Sequence, residues 1–248
     1  MTARAMPQHQ SRPDKDAFSR IDTWVFDLDN TLYPPHCDLW PKIDMRITLF
    51  MCEMFGIDGM SSRALQKYYY LRYGTTMHGL IEEYGINPHA YLQFVHDIDR
   101  TSIPPDVALA DAIRALPGQK LIFTNGSQDH ALKTLDALGL NGLFDDIFDI
   151  VATDLTPKPK PEAFASFFRQ SGIDPARAVM IEDIERNLAV PHENGMVTVL
   201  VTPKPGSNDH REAWEILREQ PGHVHFITDD LADFLGTLQL SAGDVTSG

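Results

Sequence analysis

The feature that most constrains this chain is Asp27-Leu28-Asp29-Asn30-Thr31, set directly after the apolar run Trp24-Val25-Phe26. A short apolar run closed by a polar turn reads as a buried strand. Two carboxylates, two residues apart, then lie at its carboxyl end. In an open α/β sheet that end is where ligands bind. Holding two acids there is costly unless a cation or a reaction uses them.

The same pattern recurs. Strands are expected over 23–26, 120–123, 178–181, 197–201 and 225–227, with helices over 106–116, 129–138, 162–170, 211–219 and 231–238. Alternation of strand and helix is the signature of a parallel sheet. Gly139, Gly172 and Gly195 stand where helices should stop. Between the first two strands the pattern changes to helical periodicity over 43–55, 61–73, 76–84 and 88–96. The expected architecture is therefore an α/β, Rossmann-like parallel sheet sandwiched by helices, built from residues 21–34 and 106–240, with a helical cap inserted over 35–105. Pro104-Pro105 is a stiff closing linker. An insertion placed after the first site strand can close over it as a lid. Residues 1–20 read as a mobile leader and 241–248 as a flexible tail.

Four polar segments follow four strands. Asp27 can act as a carboxylate nucleophile, and Asp29 faces the same side of an extended backbone as an acid/base. Thr124-Asn125-Gly126 offers a hydroxyl and backbone N–H groups at a helix start, which suits an anion. Lys158-Pro159-Lys160-Pro161 supplies a cation to neutralise phosphate, with Lys160 read as solvated. Glu182-Asp183 brings acids to a second strand end, completing an oxygen-rich site suited to a hard cation such as Mg²⁺. Glu185 and Arg186 read as surface charges.

Taken together, in this order, these segments resemble the haloacid dehalogenase (HAD) superfamily of phosphohydrolases. The resemblance covers nearly the whole chain outside its two ends. It implies that Asp27 is the nucleophile, Asp29 the general acid/base, Thr124 the phosphate-binding hydroxyl and Lys158 the phosphate-neutralising lysine. It implies a metal, Mg²⁺, on Asp27, the backbone carbonyl of Asp29, Asp183 and Glu182. One departure is Glu182, where many members carry Asp. The dehalogenases proper lack the second Asp and need no metal, so Asp29 favours phosphoryl chemistry.

Leu32-Tyr33-Pro34-Pro35, Tyr73-Gly74-Thr75-Thr76, Gly79-Leu80, Phe94-Val95-His96-Asp97 and Phe123-Thr124-Asn125-Gly126 look like the pyrimidine 5′-nucleotidase subfamily. That resemblance implies hydrolysis of nucleoside monophosphates such as UMP or CMP. Asn125, Gly126 and Lys158 join Thr124 as candidate substrate contacts, and Thr75 and Thr76 are the candidates within the cap. Other readings stay open: a phosphatase for phosphoglycolate or a sugar phosphate, a dehalogenase, or a silent nucleotide-binding module.

Within the cap, Tyr68, Tyr69, Tyr70, Tyr73 and His78 read mainly as packing, with one able to stack on a base. His96 and Asp97 read as a buried pair, and Met45, Met51, Met54, Met60 and Met77 as core filling. The formal charge, 21 − 35 = −14, disfavours nucleic acid. No run approaches the ~20 apolar residues of a membrane span. Cys37 and Cys52 make no metal or CxxC pattern, in keeping with a reduced, cytoplasmic protein. The expected partner is a small phosphomonoester, and the oligomeric state, monomer or dimer, is open.

Overall fold

The computed structural model describes residues 15–34, 37–207, 215–216 and 219–238. Six strands form one sheet, all neighbours parallel, in the order β3-β2-β1-β4-β5-β6. They are β1 (Thr23–Phe26), β2 (Gln119–Phe123), β3 (Asp146–Phe148), β4 (Ala178–Glu182), β5 (Val197–Val201) and β6 (Phe226–Thr228). The helices are α1 (Lys15–Phe18), α2 (Leu39–Phe55), α3 (Gly59–Tyr73), α4 (Thr76–Tyr84), α5 (Pro88–Val95), α6 (Val107–Ala115), α7 (Gln128–Leu138), α8 (Pro161–Ser171), α9 (Ala189–Glu193) and α10 (Leu231–Thr237). This is the expected Rossmann-like sheet covered on both faces.

Side chains alternate across β1, so its residues supply two cores. Trp24 and Phe26 join Phe18, Ile113, Leu135 and Phe234 on one face. Val25 joins Leu121, Met180, Phe164 and Phe167 on the other. All of β1 is buried, as a central parallel strand requires. Phe123 stacks on Phe167 with ring centroids 4.5 Å apart, and each such buried ring contributes about 1.5–3 kcal/mol. Helices α7 and α8 end at Gly139 and Gly172, both left-handed, as the stop signals indicate.

Helices α2 to α5 lie between β1 and β2 in sequence and carry their own core of Met51, Tyr69, Met77, Leu80, Tyr91 and Leu92. Gly79 is what lets α4 seat against α3: a Cβ there would stand 2.5 Å from the Tyr69 ring and 2.7 Å from that of Tyr73.

Several expectations need correction. Residues 15–20 are not loose: α1 forms there, and Phe18 is buried against Trp24 at 5.9 Å. Strand β3 has no counterpart in the sequence pattern, being three residues on the sheet edge. Met51 and Met77 fill the helical core, but Met45 and Met60 are 59% and 84% exposed. His96 and Asp97 do not pair: His96 Nδ1 meets Ser127 Oγ at 3.0 Å, while Asp97 bonds Arg46 at 3.4 Å. The leader over 1–14, most of the helix expected over 211–219 and the tail over 241–248 lie outside the described residues. Among the described residues, Cys37 and Cys52 are free thiols, and no helix is long and apolar enough to cross a membrane.

Candidate active site

Register brings the polar segments to one edge. Phe26 stands beside Ile122 on one side and Ile181 on the other. Asp27 N–H still donates to Ile181 O at 2.9 Å, so Asp27 and Glu182, one residue past this row, and Thr124, two past Ile122, emerge together at the carboxyl ends of three central strands. Lys158 reaches them from the loop before α8. Its ammonium donates to Asp27 Oδ1 at 2.8 Å, Glu182 Oε1 at 2.9 Å and Phe123 O at 2.7 Å. It is only 1% exposed. A buried ammonium is stable only when all three donors are used; these contacts raise its pKa despite burial.

Asp27, Glu182 and Asp183 are all buried, with ligand oxygens within 4.8 Å of one another. Burial, reinforced by Glu182 and Asp29 against the pull of Lys158, pushes Asp27 up to about 7. Burial followed by Glu182 and Asp27 pushes Asp183 well above the usual carboxylate range. Three buried acids facing one lysine leave negative charge uncompensated, and an all-oxygen donor set fits a hard divalent cation. The acids are not equivalent. Glu182 Oε1 also accepts from Asn187 Nδ2 at 2.6 Å, and Oε2 from Ile184 N at 2.7 Å. Both its oxygens are therefore engaged in anchoring Lys158 and the following turn, whereas Asp27 Oδ2 holds the Thr31 hydroxyl at 3.3 Å, a group that can rotate away for a cation.

Asp29 is held differently. Its Oδ1 accepts from Tyr33 Oη at 2.6 Å and faces His130 Nε2 at 2.8 Å. Burial opposes ionisation, but the hydrogen bonds from His130 Nε2 and Tyr33 Oη outweigh it and hold the carboxyl below the usual carboxylate range. Asp29 thus lies beside the acidic cluster with its side chain committed elsewhere.

The remaining candidates divide. Thr124 is 1% exposed, and its Oγ accepts from Gly126 N at 2.9 Å. That leaves the hydroxyl proton to donate into the cavity but turns the Gly126 N–H away from any anion. Asn125 clamps the Lys158 backbone, donating to its carbonyl at 3.1 Å and accepting from its N–H at 2.8 Å. Asn125 and Gly126 therefore serve the shape of the site; a Cβ on Gly126 would stand 3.2 Å from the His130 ring and 3.6 Å from Asp29 Oδ2. Thr75 caps α4 through His78 N at 3.1 Å, and Thr76 Oγ donates to Gln66 O at 3.4 Å. Both line the cavity; the Thr76 hydroxyl proton is in use, whereas Thr75 only accepts and keeps its proton to donate.

A family model described as a haloacid dehalogenase-like hydrolase matches residues 21–195. The chain belongs to that family. Phosphate metabolism protein 8 of Saccharomyces cerevisiae is 30% identical over 207 residues, which is 76% of this chain and 63% of that protein. The chain thus spans less than two thirds of that relative's length. The fold is that of L-2-haloacid dehalogenase from Xanthobacter autotrophicus (16% identity, TM-score 0.53, 90% of this chain and all of that one). YfnB of Bacillus subtilis, solved bound to magnesium, is similar in fold at 19% identity and TM-score 0.51, over 73% of this chain and 89% of that one.

Within this HAD-family hydrolase a cavity of about 200 Å³ opens between the strand ends and the helical layer. Its floor is Asp27, Asp29, Thr124, Lys158 and Asp183; its roof includes Trp40, Ile43, Ile47, Tyr91 and Val95. Asp44, Gln66 and Tyr70 add a polar side. Tyr70 lies under the Arg186 guanidinium, 4.5 Å from its ring centroid, and bonds Glu215. Arg186 is therefore a contact to the helical layer rather than a surface charge, and Glu185 pairs with His223. Lys160 likewise meets His78 Nε2 at 2.6 Å.

Sequence reasoning assigned no role to Tyr33, His130 or Arg100. Tyr33 lies four residues beyond Asp29, and His130 falls in the first turn of a helix that begins at the site; those spacings were the available signal. Arg100 carried none, because only folding brings its NH2 within 2.7 Å of His130 Nδ1.

Proposed function

We propose that this HAD-family hydrolase is a Mg²⁺-dependent phosphatase of nucleoside 5′-monophosphates, UMP and CMP foremost, working through an aspartyl-phosphate. The observation that carries the reading is the pairing of a Lys158-bound Asp27 with an Asp29 held apart from the acidic cluster, both facing one cavity. A single carboxylate would serve displacement at carbon; two with different partners divide the roles of nucleophile and acid/base.

An Asp27 oxygen forms a bond to phosphorus as the bond from phosphorus to the nucleoside oxygen breaks. Asp29 gives that oxygen its proton, and the nucleoside leaves as an alcohol. Asp29, now a carboxylate, takes a proton from water while the water oxygen attacks phosphorus and the bond to Asp27 breaks. The products are the nucleoside and inorganic phosphate. Before substrate arrives Asp29 is a carboxylate, so its proton enters with the substrate, whose negative charge beside Asp29 favours the protonated form. Lys158 and Thr124 meet the non-bridging oxygens, which carry the charge of a loose transition state. A magnesium ion on Asp27, Asp183 and the Asp29 backbone carbonyl would supply further charge neutralisation.

The nucleotide assignment is supported by the subfamily resemblance and by Trp40, Tyr70 and Tyr91 along the cavity. One observation favours a second reading. The cavity is about 200 Å³, below the ~300–1,000 Å³ usual for ligand sites, which suits a smaller phosphomonoester such as phosphoglycolate or a sugar phosphate. We place the enzyme in a reducing, cytoplasmic setting on its two free thiols.

The test is phosphate release from UMP, CMP, dUMP, AMP, GMP, phosphoglycolate and p-nitrophenyl phosphate, with Mg²⁺ and with EDTA. Mg²⁺-dependent release mainly from UMP and CMP is expected. Release mainly from phosphoglycolate moves the substrate to the second reading and keeps the chemistry. No release from any of them overturns the phosphatase reading.

A further inference from the structure

We infer that His130 and Arg100 are positioning residues for Asp29: Arg100 fixes the tautomer of His130, and His130 gives its one N–H to Asp29 Oδ1. The inference rests on the acid/base reading of Asp29 above.

A guanidinium has donors only. Arg100 NH2 lies 2.7 Å from His130 Nδ1, so Nδ1 accepts and bears no proton. A ring with an accepting Nδ1 carries its proton on Nε2, which then donates across the 2.8 Å to Asp29 Oδ1. Tyr33 Oη donates to the same oxygen at 2.6 Å. Oδ1 thus holds two incoming donors and has no room for a proton of its own. The proton that Asp29 hands to a leaving group must sit on Oδ2, the oxygen that faces Gly126.

The surroundings hold this arrangement in place. His130 is fully buried and stacks on His96 at 4.3 Å, nearly parallel. Arg100 is fastened by Ile98 O at 3.0 Å, His96 O at 3.3 Å and Thr134 Oγ at 3.3 Å. Tyr33 lies on the segment leading out to the helical layer and Arg100 on the segment leading back. One connection therefore ends on the side chain of Asp29 directly and the other reaches it through His130.

Two measurements test this. The first is independent of activity: ¹⁵N spectra of the histidine rings at pH 7, with the His130 signals assigned by their loss in His130→Gln. The expected result is a neutral ring protonated at Nε2; a ring protonated at Nδ1 or at both nitrogens overturns the inference. The second compares kcat/KM, which reports the leaving-group step, for p-nitrophenyl phosphate and for the best alkyl phosphate in the panel above. An aryl leaving group needs no acid. In His130→Ala the alkyl substrate should lose about 10²-fold and the aryl substrate no more than about 3-fold. His130→Gln keeps a donor and should recover most of the loss. Equal losses on both substrates, or none, would mean that His130 only packs. If His130→Ala does not fold, Arg100→Met carries the same test. Asp29→Asn is run alongside: if it lacks the selective loss, the acid/base reading itself fails, whereas a selective loss there without one in the His130 and Arg100 variants sinks this inference alone.

Discussion

At the scale of single residues, Lys158 is where stability and chemistry meet. Its ammonium satisfies Asp27, Glu182 and a strand carbonyl at once while almost fully buried. Removing one partner of a buried ion pair strands the other charge, at about 3–5 kcal/mol. Lys158→Met should lower the unfolding free energy by roughly that amount in urea titration, and cut kcat by ~10²–10³-fold as a transition-state contact is lost. Asp27→Asn should behave differently: a folded protein, nearly isosteric, with turnover down by at least ~10⁴-fold in the phosphate-release assay. The residues that can be read from sequence are those whose chemistry is local. Asp27, Asp29 and Asp183 announce themselves because acids at strand ends have few other uses. The second partners do not, since Tyr33, His130 and Arg100 become meaningful only through contacts that folding creates. Asn125 and Gly126 were read for their polar groups, yet those groups are taken up by Lys158 and Thr124.

At the scale of elements, β1, β2 and β4 were legible because buried parallel strands are continuous apolar runs. The edge strand β3 was not, because three residues give no period. The helices between β1 and β2 were legible from their periodicity; the structure adds caps such as Asp58 and Asn87, whose side chains accept from the first turns of α3 and α5. Their packing partners were not: nothing local marks Gly79 as the contact that seats α4 on α3. Gly79→Ala improves helix propensity but drives a methyl group into the Tyr69 ring. A net loss of ~1–3 kcal/mol is expected from overpacking, read as a lower melting temperature. A gain in stability would mean that the two helices are free to part.

At the scale of the whole molecule, the buried acids tie stability to pH and to metal. Asp27 titrates at about 7 in the metal-free fold against 3.8 for the ordinary group. The fold therefore keeps a proton that the unfolded chain has already released, and this carboxyl costs stability as pH rises from about 4 through about 7. Divalent ions bind the deprotonated acids. The rise in melting temperature on adding Mg²⁺ should consequently be larger at pH 8 than at pH 6, and Asp183→Asn should largely abolish it. A Mg²⁺ effect independent of pH would separate the ion from this cluster. The overall charge of −14 makes a local cation more important for an anionic substrate. The measurement that bears most directly on the central claim is trapping of the phosphoenzyme. Asp29→Asn protein is mixed with p-nitrophenyl phosphate, whose leaving group needs no acid, and Mg²⁺, quenched in acid and mapped by peptide mass spectrometry. One phosphoryl group on Asp27, absent from Asp27→Asn, is the expected result. Steady phosphate release with no phosphoryl group on Asp27 at any quench time would contradict the account.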